Sequence, residues 1–117
     1  MKKSFAVLLL FAVSGLSLHA AEKGKALFDG KTFAGWDGDT NKTWRIVDGA
    51  FVGGSMSAPV PRNEFLSTTR RYTNFVLQLK FKLVGGEKAN AGVQIRTERI
   101  PNHHEVMGYQ ADMGDPA

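Results

Sequence analysis

The chain has 117 residues, of which 43% are hydrophobic and 22% are charged, and it contains no cysteine. Fifteen Lys and Arg residues against eleven Asp and Glu residues give a net charge of +4, but no basic run exceeds two residues. This composition argues against a nucleic-acid partner, and the lack of cysteine excludes disulfides and an acylated-cysteine anchor.

Residues 1–20 have the pattern of a secretory signal peptide. Lys2 and Lys3 precede an unbroken apolar run at residues 5–13, and the small residue Ala20 suits cleavage. The run is shorter than the roughly 20 apolar residues of a membrane span, so an uncleaved anchor is the less favoured alternative. We therefore expect a periplasmic or secreted protein without a stable membrane anchor. Its mature part has 13 Lys and Arg residues against 11 Asp and Glu residues, a net charge of +2.

The rest of the chain has a sequence pattern that is typical of an all-β protein. No long helical periodicity follows residue 20, and short apolar runs alternate with turn signals. These turn signals are Asp29-Gly30, Asp37-Gly38, Asp48-Gly49, Gly53-Gly54 and Gly85-Gly86. The pattern predicts a β-sandwich or barrel.

Individual strands can be predicted in chain order. Residues 44–52 predict a hairpin in which Asp48-Gly49 forms a tight turn with positive φ. Residues 56–63 contain two prolines and predict an exposed loop, and residues 65–68 predict a short strand.

Residues 74–84 give the strongest strand pattern. Five apolar side chains recur at every second position, and a face of this size needs a second layer to cover it. The five are Phe75, Leu77, Leu79, Phe81 and Leu83.

Two further strands, at residues 91–98 and 108–113, combine an apolar face with a polar face. Strict alternation predicts Gln94, Arg96 and Glu98 on one face of the first strand, and Gln110 and Asp112 on one face of the second. The same alternation predicts Thr97 on the apolar face and Tyr109 in the core. A polar face of this kind suits sugar binding, but it is also typical of a solvated sheet.

Four side chains on these strands are candidate site residues. The Arg96 guanidinium can bind two sugar hydroxyls, or can pair with Glu98 or Asp112 across the strands. The amides of Gln94 and Gln110 can each donate to and accept from vicinal hydroxyls. The alternative for the two glutamines is a solvated strand surface. Asp112 is a candidate base, metal ligand or hydroxyl acceptor, and its alternative is a strand-end aspartate that starts a turn.

The His103-His104-Glu105 triplet follows Pro101-Asn102, which indicates a loop. His104 or Glu105 could supply a base or metal ligand, whereas a solvated loop is the simpler interpretation. Trp36 and Trp44 could stack on sugars, but aromatic side chains at such positions more often pack in a core.

Five motifs in a fixed order carry a resemblance to a known family. The chain resembles the 3-keto-disaccharide hydrolase family over nearly all of its mature length. The motifs are LFDGKTFAGW at 27–36, WRIVDGAFVG at 44–53, FL at 65–66 with YTNFVL at 72–77, NAGVQIR at 90–96, and GYQAD at 108–112.

The resemblance implies a concanavalin-A-like jelly roll, an all-β sandwich of two antiparallel sheets, over residues 22–117. Family domains are about twice as long, as two-sheet jelly rolls usually are. We therefore expect an incomplete sandwich that lacks C-terminal strands, and a fragment that is inactive by itself.

The resemblance also implies that the full-length protein is a hydrolase or lyase acting on carbohydrates, namely glycosides oxidised at C3. On this interpretation Arg96, His104 and Asp112 are catalytic, and Gln94, Gln110 and Glu105 bind the substrate. A divalent cation near His104, Glu105 and Asp112 is an alternative to Arg96 for stabilising negative charge. The rival function is a lectin-like module that binds carbohydrate without cleaving it.

Overall fold

The computed structural model describes residues 24–86 and 89–114, so the predicted signal peptide lies outside the described residues. Six strands and no α-helix occur in this part of the chain. The strands are β1 (Trp36–Asp37), β2 (Trp44–Val47), β3 (Ala50–Gly53), β4 (Ser67–Thr68), β5 (Gly92–Arg99) and β6 (Val106–Asp112). They form three antiparallel pairs, β1–β4, β2–β3 and β5–β6. The all-β class is therefore confirmed. Among these residues no helix is long and apolar enough to span a membrane.

The β2–β3 hairpin forms as predicted. Trp44 lies opposite Gly53 and Val47 lies opposite Ala50, which leaves a two-residue turn. Asp48 and Gly49 both have positive φ, 49° and 74°, as a type I′ turn requires. A Cβ atom on Gly53 would lie 2.7 Å from the Trp44 ring, so this glycine lets the indole pack across the hairpin.

An aromatic cluster joins the N-terminal loop to this hairpin. The Phe51 ring of β3 lies 3.8 Å from Phe28, 5.5 Å from Phe33 and 4.9 Å from Trp36, measured between centroids. The Trp36 indole donates a hydrogen bond to the Leu27 carbonyl at 3.1 Å. Trp36 is thus a packing residue, and each such aromatic pair contributes about 0.5–1.5 kcal/mol beyond its area burial.

The loop before this cluster is held by the Asp29 carboxylate. It accepts hydrogen bonds from the backbone N–H groups of Lys31 and Thr32, both at 2.8 Å, and from the Thr32 hydroxyl at 2.6 Å. The Thr32 hydroxyl is the largest cause, followed by the backbone groups, of a pKa of Asp29 lowered from 3.8 to about 2.

Because the folded-state pKa of Asp29 lies below its unfolded value, its ionised form stabilises the folded loop above pH 4 or so. This contribution is lost as the pH falls toward 2. We expect Thr32→Val to raise the pKa of Asp29 toward 3.8, as followed by the carboxyl carbon shift in an NMR titration. Thr43→Val, which removes a similar hydroxyl donor to Asp39, should leave the Asp29 titration unchanged. An unaltered pKa in Thr32→Val would contradict this account.

The prediction of a strand at residues 74–84 is wrong for the described structure. No residue in this segment joins a ladder, because the described chain places no second strand beside it. The side chains of Phe75, Leu79 and Phe81 are 46%, 48% and 62% exposed. No side chain in the described ranges is buried, so the two-layer core that the sequence predicts is not closed within them.

The apolar row of residues 74–84 nevertheless lies beside the apolar side of the β5–β6 hairpin. An open cavity of about 480 Å³ separates the two, and its apolar walls come from both segments. These walls include Leu77, Leu79 and Phe81 on one side, and Val93, Ala111 and Met113 on the other. Two polar side chains, Gln78 and Asp112, also line the cavity. The polar row of the hairpin, with Gln94 and Gln110, belongs to the other set of alternating positions.

Candidate functional site

The candidate site is the polar row of the β5–β6 hairpin. Gln94 lies directly opposite Gln110, and Gly92 lies opposite Asp112. Cross-strand partners share a face of the sheet, so the sequence correctly placed both glutamines and Asp112 together. The row crosses both strands of the longest ladder in the described chain.

A β-bulge interrupts β5 in the middle of the row. Ile95 pairs with Tyr109 and Glu98 pairs with Met107, so both Arg96 and Thr97 lie opposite Gly108. The extra residue changes the phase of the strand. The predicted strict alternation is therefore wrong beyond Ile95: Glu98 joins the row of Tyr109, and Thr97 joins the row of Gln94.

Hydrogen bonds connect the polar row from one end to the other. Thr97 Oγ1 lies 3.2 Å from Gln94 Oε1, and Gln94 Nε2 donates to Gln110 Oε1 at 2.5 Å. Gln110 Nε2 donates in turn to Asp112 Oδ1 at 3.3 Å. We refer to Thr97, Gln94, Gln110 and Asp112 as the amide row. The row ends on a carboxylate whose second oxygen makes no hydrogen bond within the described residues.

Two glycines leave the space that the amide row occupies. A Cβ atom on Gly92 would lie 2.6 Å from Cγ, Cδ and Nε2 of Gln110. A Cβ atom on Gly108 would lie 2.0 Å from Thr97 Oγ1 and 2.6 Å from Thr97 Cα. Gly92 thus permits the close approach of the Gln110 side chain, whereas the need for Gly108 arises from the bulge.

Arg96 has a strained backbone and a free side chain. Its φ of 49° lies in the left-handed region, which a long side chain rarely adopts. Within the described residues its guanidinium makes no ion pair or hydrogen bond, and Glu98 instead pairs with Arg71 at 2.7 Å. The structural alternative for Arg96, an ion pair with Glu98 on β5 or with Asp112 on β6, is therefore not formed.

The predicted loop with two histidines connects β5 to β6. The rings of His103 and His104 stack with centroids 4.5 Å apart, and His104 Nε2 lies 3.3 Å from Glu105 Oε1. Asn63 donates to the same Glu105 oxygen at 2.9 Å. Both histidines line an open cavity of about 570 Å³ together with Arg62 and Arg99.

The structure does not bring this loop to Asp112. Glu105 precedes β6 and Asp112 ends it, so seven residues at about 3.3 Å each separate them by roughly 20 Å. The described residues contain no group of three His, Asp or Glu side chains close enough to hold a metal ion. The donor set therefore does not fit the predicted cation site of His104, Glu105 and Asp112.

Arg99 is a structural residue that the sequence pattern did not reveal. Its guanidinium lies 3.0 Å from Asp37 Oδ2 and donates to the carbonyls of Asp37 and Phe65 at 3.0 and 3.3 Å. These contacts attach the end of β5 to β1 and to the segment before β4. The bulge determines where Arg99 lies, and no local sequence signal marks a bulge at Arg96-Thr97.

The comparison with family models identifies the protein family of the chain. Residues 23–117 match the model of the 3-keto-alpha-glucoside-1,2-lyase-like domain. The chain belongs to this family. Membership confirms the resemblance read from the five motifs and places the chain among carbohydrate-active proteins. No curated protein and no solved structure matches the chain significantly. All four members of the amide row lie within the 3-keto-alpha-glucoside-1,2-lyase-like domain.

Proposed function

We propose that the amide row is the sugar-binding wall of an exported enzyme that cleaves glycosides oxidised to a ketone at C3. The observation that carries this proposal is the continuous hydrogen-bonded row that ends on the Asp112 carboxylate. Vicinal hydroxyls match planar amides because each amide both donates and accepts. Family membership supports the carbohydrate substrate.

Asp112 is the base in this proposal. The C3 ketone acidifies the C2–H bond, and the carboxylate takes the C2 proton while the electron pair forms an enolate. The enolate then collapses to the ketone, a C1–C2 double bond forms, and the C1 aglycone leaves with the bond pair. Water adds to C1, C2 regains a proton, and the product is a 3-keto sugar.

Arg96 supplies positive charge for the enolate oxygen. Its position in the bulge, opposite Gly108, is four residues and roughly 13 Å along β5 from Gly92, which faces Asp112. A sugar ring fits in this interval, with the base at one end and the long arginine side chain extending from the other. A fixed positive charge near a developing oxyanion is usually a large catalytic contribution.

We propose further that the domain is a two-sheet jelly roll and that it is exported. In a two-sheet jelly roll, residues 74–84 belong to the layer that covers the apolar side of β5–β6, in line with the cavity that the two segments share. The polar row is then left facing the substrate. Cleavage of residues 1–20 delivers the domain to the periplasm or the medium.

The deciding experiment compares the p-nitrophenyl 3-keto-glucoside with the unoxidised p-nitrophenyl glucoside in D₂O, using a full-length family member that carries the amide row. We expect release of p-nitrophenol from the ketone alone, and deuterium at C2 of the sugar product. Equal release from both substrates would indicate an ordinary glycosidase. Binding of the ketone without turnover would support the lectin-like alternative, and either result would overturn the proposal.

A further inference from the structure

We infer that Thr97 is a positioning residue, which acts on the Asp112 carboxylate through the two glutamines of the amide row. This inference rests on the proposed function, since it assigns a role within the same site. Thr97 touches neither the sugar nor Asp112; it contacts Gln94, and the effect reaches Asp112 through two further hydrogen bonds.

The donors and acceptors of the row all run in one direction. Each glutamine accepts through its oxygen on the Thr97 side and donates through its nitrogen on the Asp112 side. A carboxylate has no proton to donate, so Asp112 fixes Gln110 with its NH₂ group forward, and Gln110 fixes Gln94 in the same sense. Reversing either amide would place two donors or two acceptors face to face.

Thr97 closes the open end of this chain of bonds. Its hydroxyl has a single proton, which is shared between Gln94 Oε1 at 3.2 Å and the Ile95 carbonyl at 2.9 Å. Only the bulge brings Thr97 onto this face, since strict alternation would place it on the other side of the sheet. The bulge thus gives the row a terminal donor, the Thr97 hydroxyl, which a strand without a bulge would place on the other face of the sheet.

The row has a consequence for the substrate. With one N–H of each amide used inside the row, the second N–H of Gln94 and of Gln110 is available to sugar hydroxyls. Asp112 uses Oδ1 within the row, and Oδ2 is available for the C2 proton. Loss of Thr97 therefore disturbs the orientation of the base more than the number of substrate contacts, and kcat should change more than KM.

The test combines Thr97→Val with the conservative Thr97→Ser. Valine retains the shape of threonine without the hydroxyl, and serine retains the hydroxyl. We expect Thr97→Val to shift the side-chain NH₂ resonances of both Gln94 and Gln110 in ¹⁵N-resolved NMR spectra, and to lower kcat about tenfold with KM within about twofold. Thr97→Ser should restore the resonances and kcat.

A second variant disturbs the row from its other end and leaves Thr97 intact. Gly92→Ala places a methyl group against Gln110, so it should shift the NH₂ resonances of Gln110 and Gln94. Because Gln94 accepts from Thr97, the chemical shifts of Thr97 should change as well. Gly24→Ala is the matched control, because a Cβ there has nothing within 4 Å.

Unshifted Gln110 resonances in Thr97→Val would overturn the inference, even if the full-length wild-type protein cleaves the ketone. A full-length wild-type protein that does not cleave the ketone would overturn the proposed function instead, and the NMR spectra would still decide whether Thr97 orders the row.

Discussion

Replacement of Asp112 by asparagine is expected to lower kcat for the 3-keto-glucoside by about 10²–10⁴-fold, the usual contribution of a general base. Asparagine has the same shape and can still accept from Gln110 through its amide oxygen, so the amide row is preserved. The variant loses the basic carboxylate, and KM should change little because the sugar contacts remain. Steady-state kinetics of release from the p-nitrophenyl ketone measure both constants.

Asp48→Asn is the matched control for this change. It makes the same chemical substitution in the β2–β3 turn, where Asp48 has a φ of 49° that asparagine also tolerates. The control should have wild-type kinetics. If Asp112→Asn also retained a kcat within about twofold of the wild type, far less than a general base contributes, Asp112 would not be the base.

Arg96→Gly should have opposite effects on stability and on activity. Glycine adopts positive φ without a steric penalty, so the free energy of unfolding should rise by about 1 kcal/mol. The loss of the guanidinium should lower kcat by about 10²–10³-fold, as for the removal of one group that stabilises an oxyanion. Denaturant titration and steady-state kinetics measure the two effects.

Two comparisons isolate the cause of each effect. Arg96→Ala removes the charge but keeps a Cβ atom at positive φ, so it should lose activity without the gain in stability. Asn102→Gly changes another residue of positive φ, 58°, but asparagine already tolerates this region and the stability should barely move. If Arg96→Gly were no more stable than Arg96→Ala, the backbone at Arg96 would not be strained.

Local sequence signals predicted those features whose causes are local. Asp48-Gly49 fixes a two-residue turn by its φ preferences, and the turn fixes the register of β2–β3. The family and the all-β class followed from the ordered motifs and from the spacing of the turns. The facing positions of Gln94 and Gln110 followed from the period of a strand.

Features that depend on distant partners could not be predicted in this way. Residues 74–84 alternate like a strand, but a strand also needs a neighbour, and none lies beside them in the described chain. Tyr109 was expected in the core and is 71% exposed, because residues 74–84 approach this face at Val93 and Ala111 and leave Tyr109 outside the shared cavity. A prediction based on strict alternation along a strand cannot detect an inserted residue. It therefore did not give the faces of the sheet on which Thr97, Glu98 and Arg99 lie.

At the Arg96-Thr97 bulge, β5 has one residue more than the facing part of β6. Deleting it would return β5 to a regular phase and relieve the backbone of Arg96, an apparent improvement of the sheet. The same deletion would leave Glu98 opposite Met107 and Arg99 opposite Val106, so Arg99 would keep its contacts with Asp37 and Phe65. Loss of the irregularity is therefore penalised at the site, which would lose either the Arg96 guanidinium or the Thr97 hydroxyl, while the attachment of β5 to β1 would be kept.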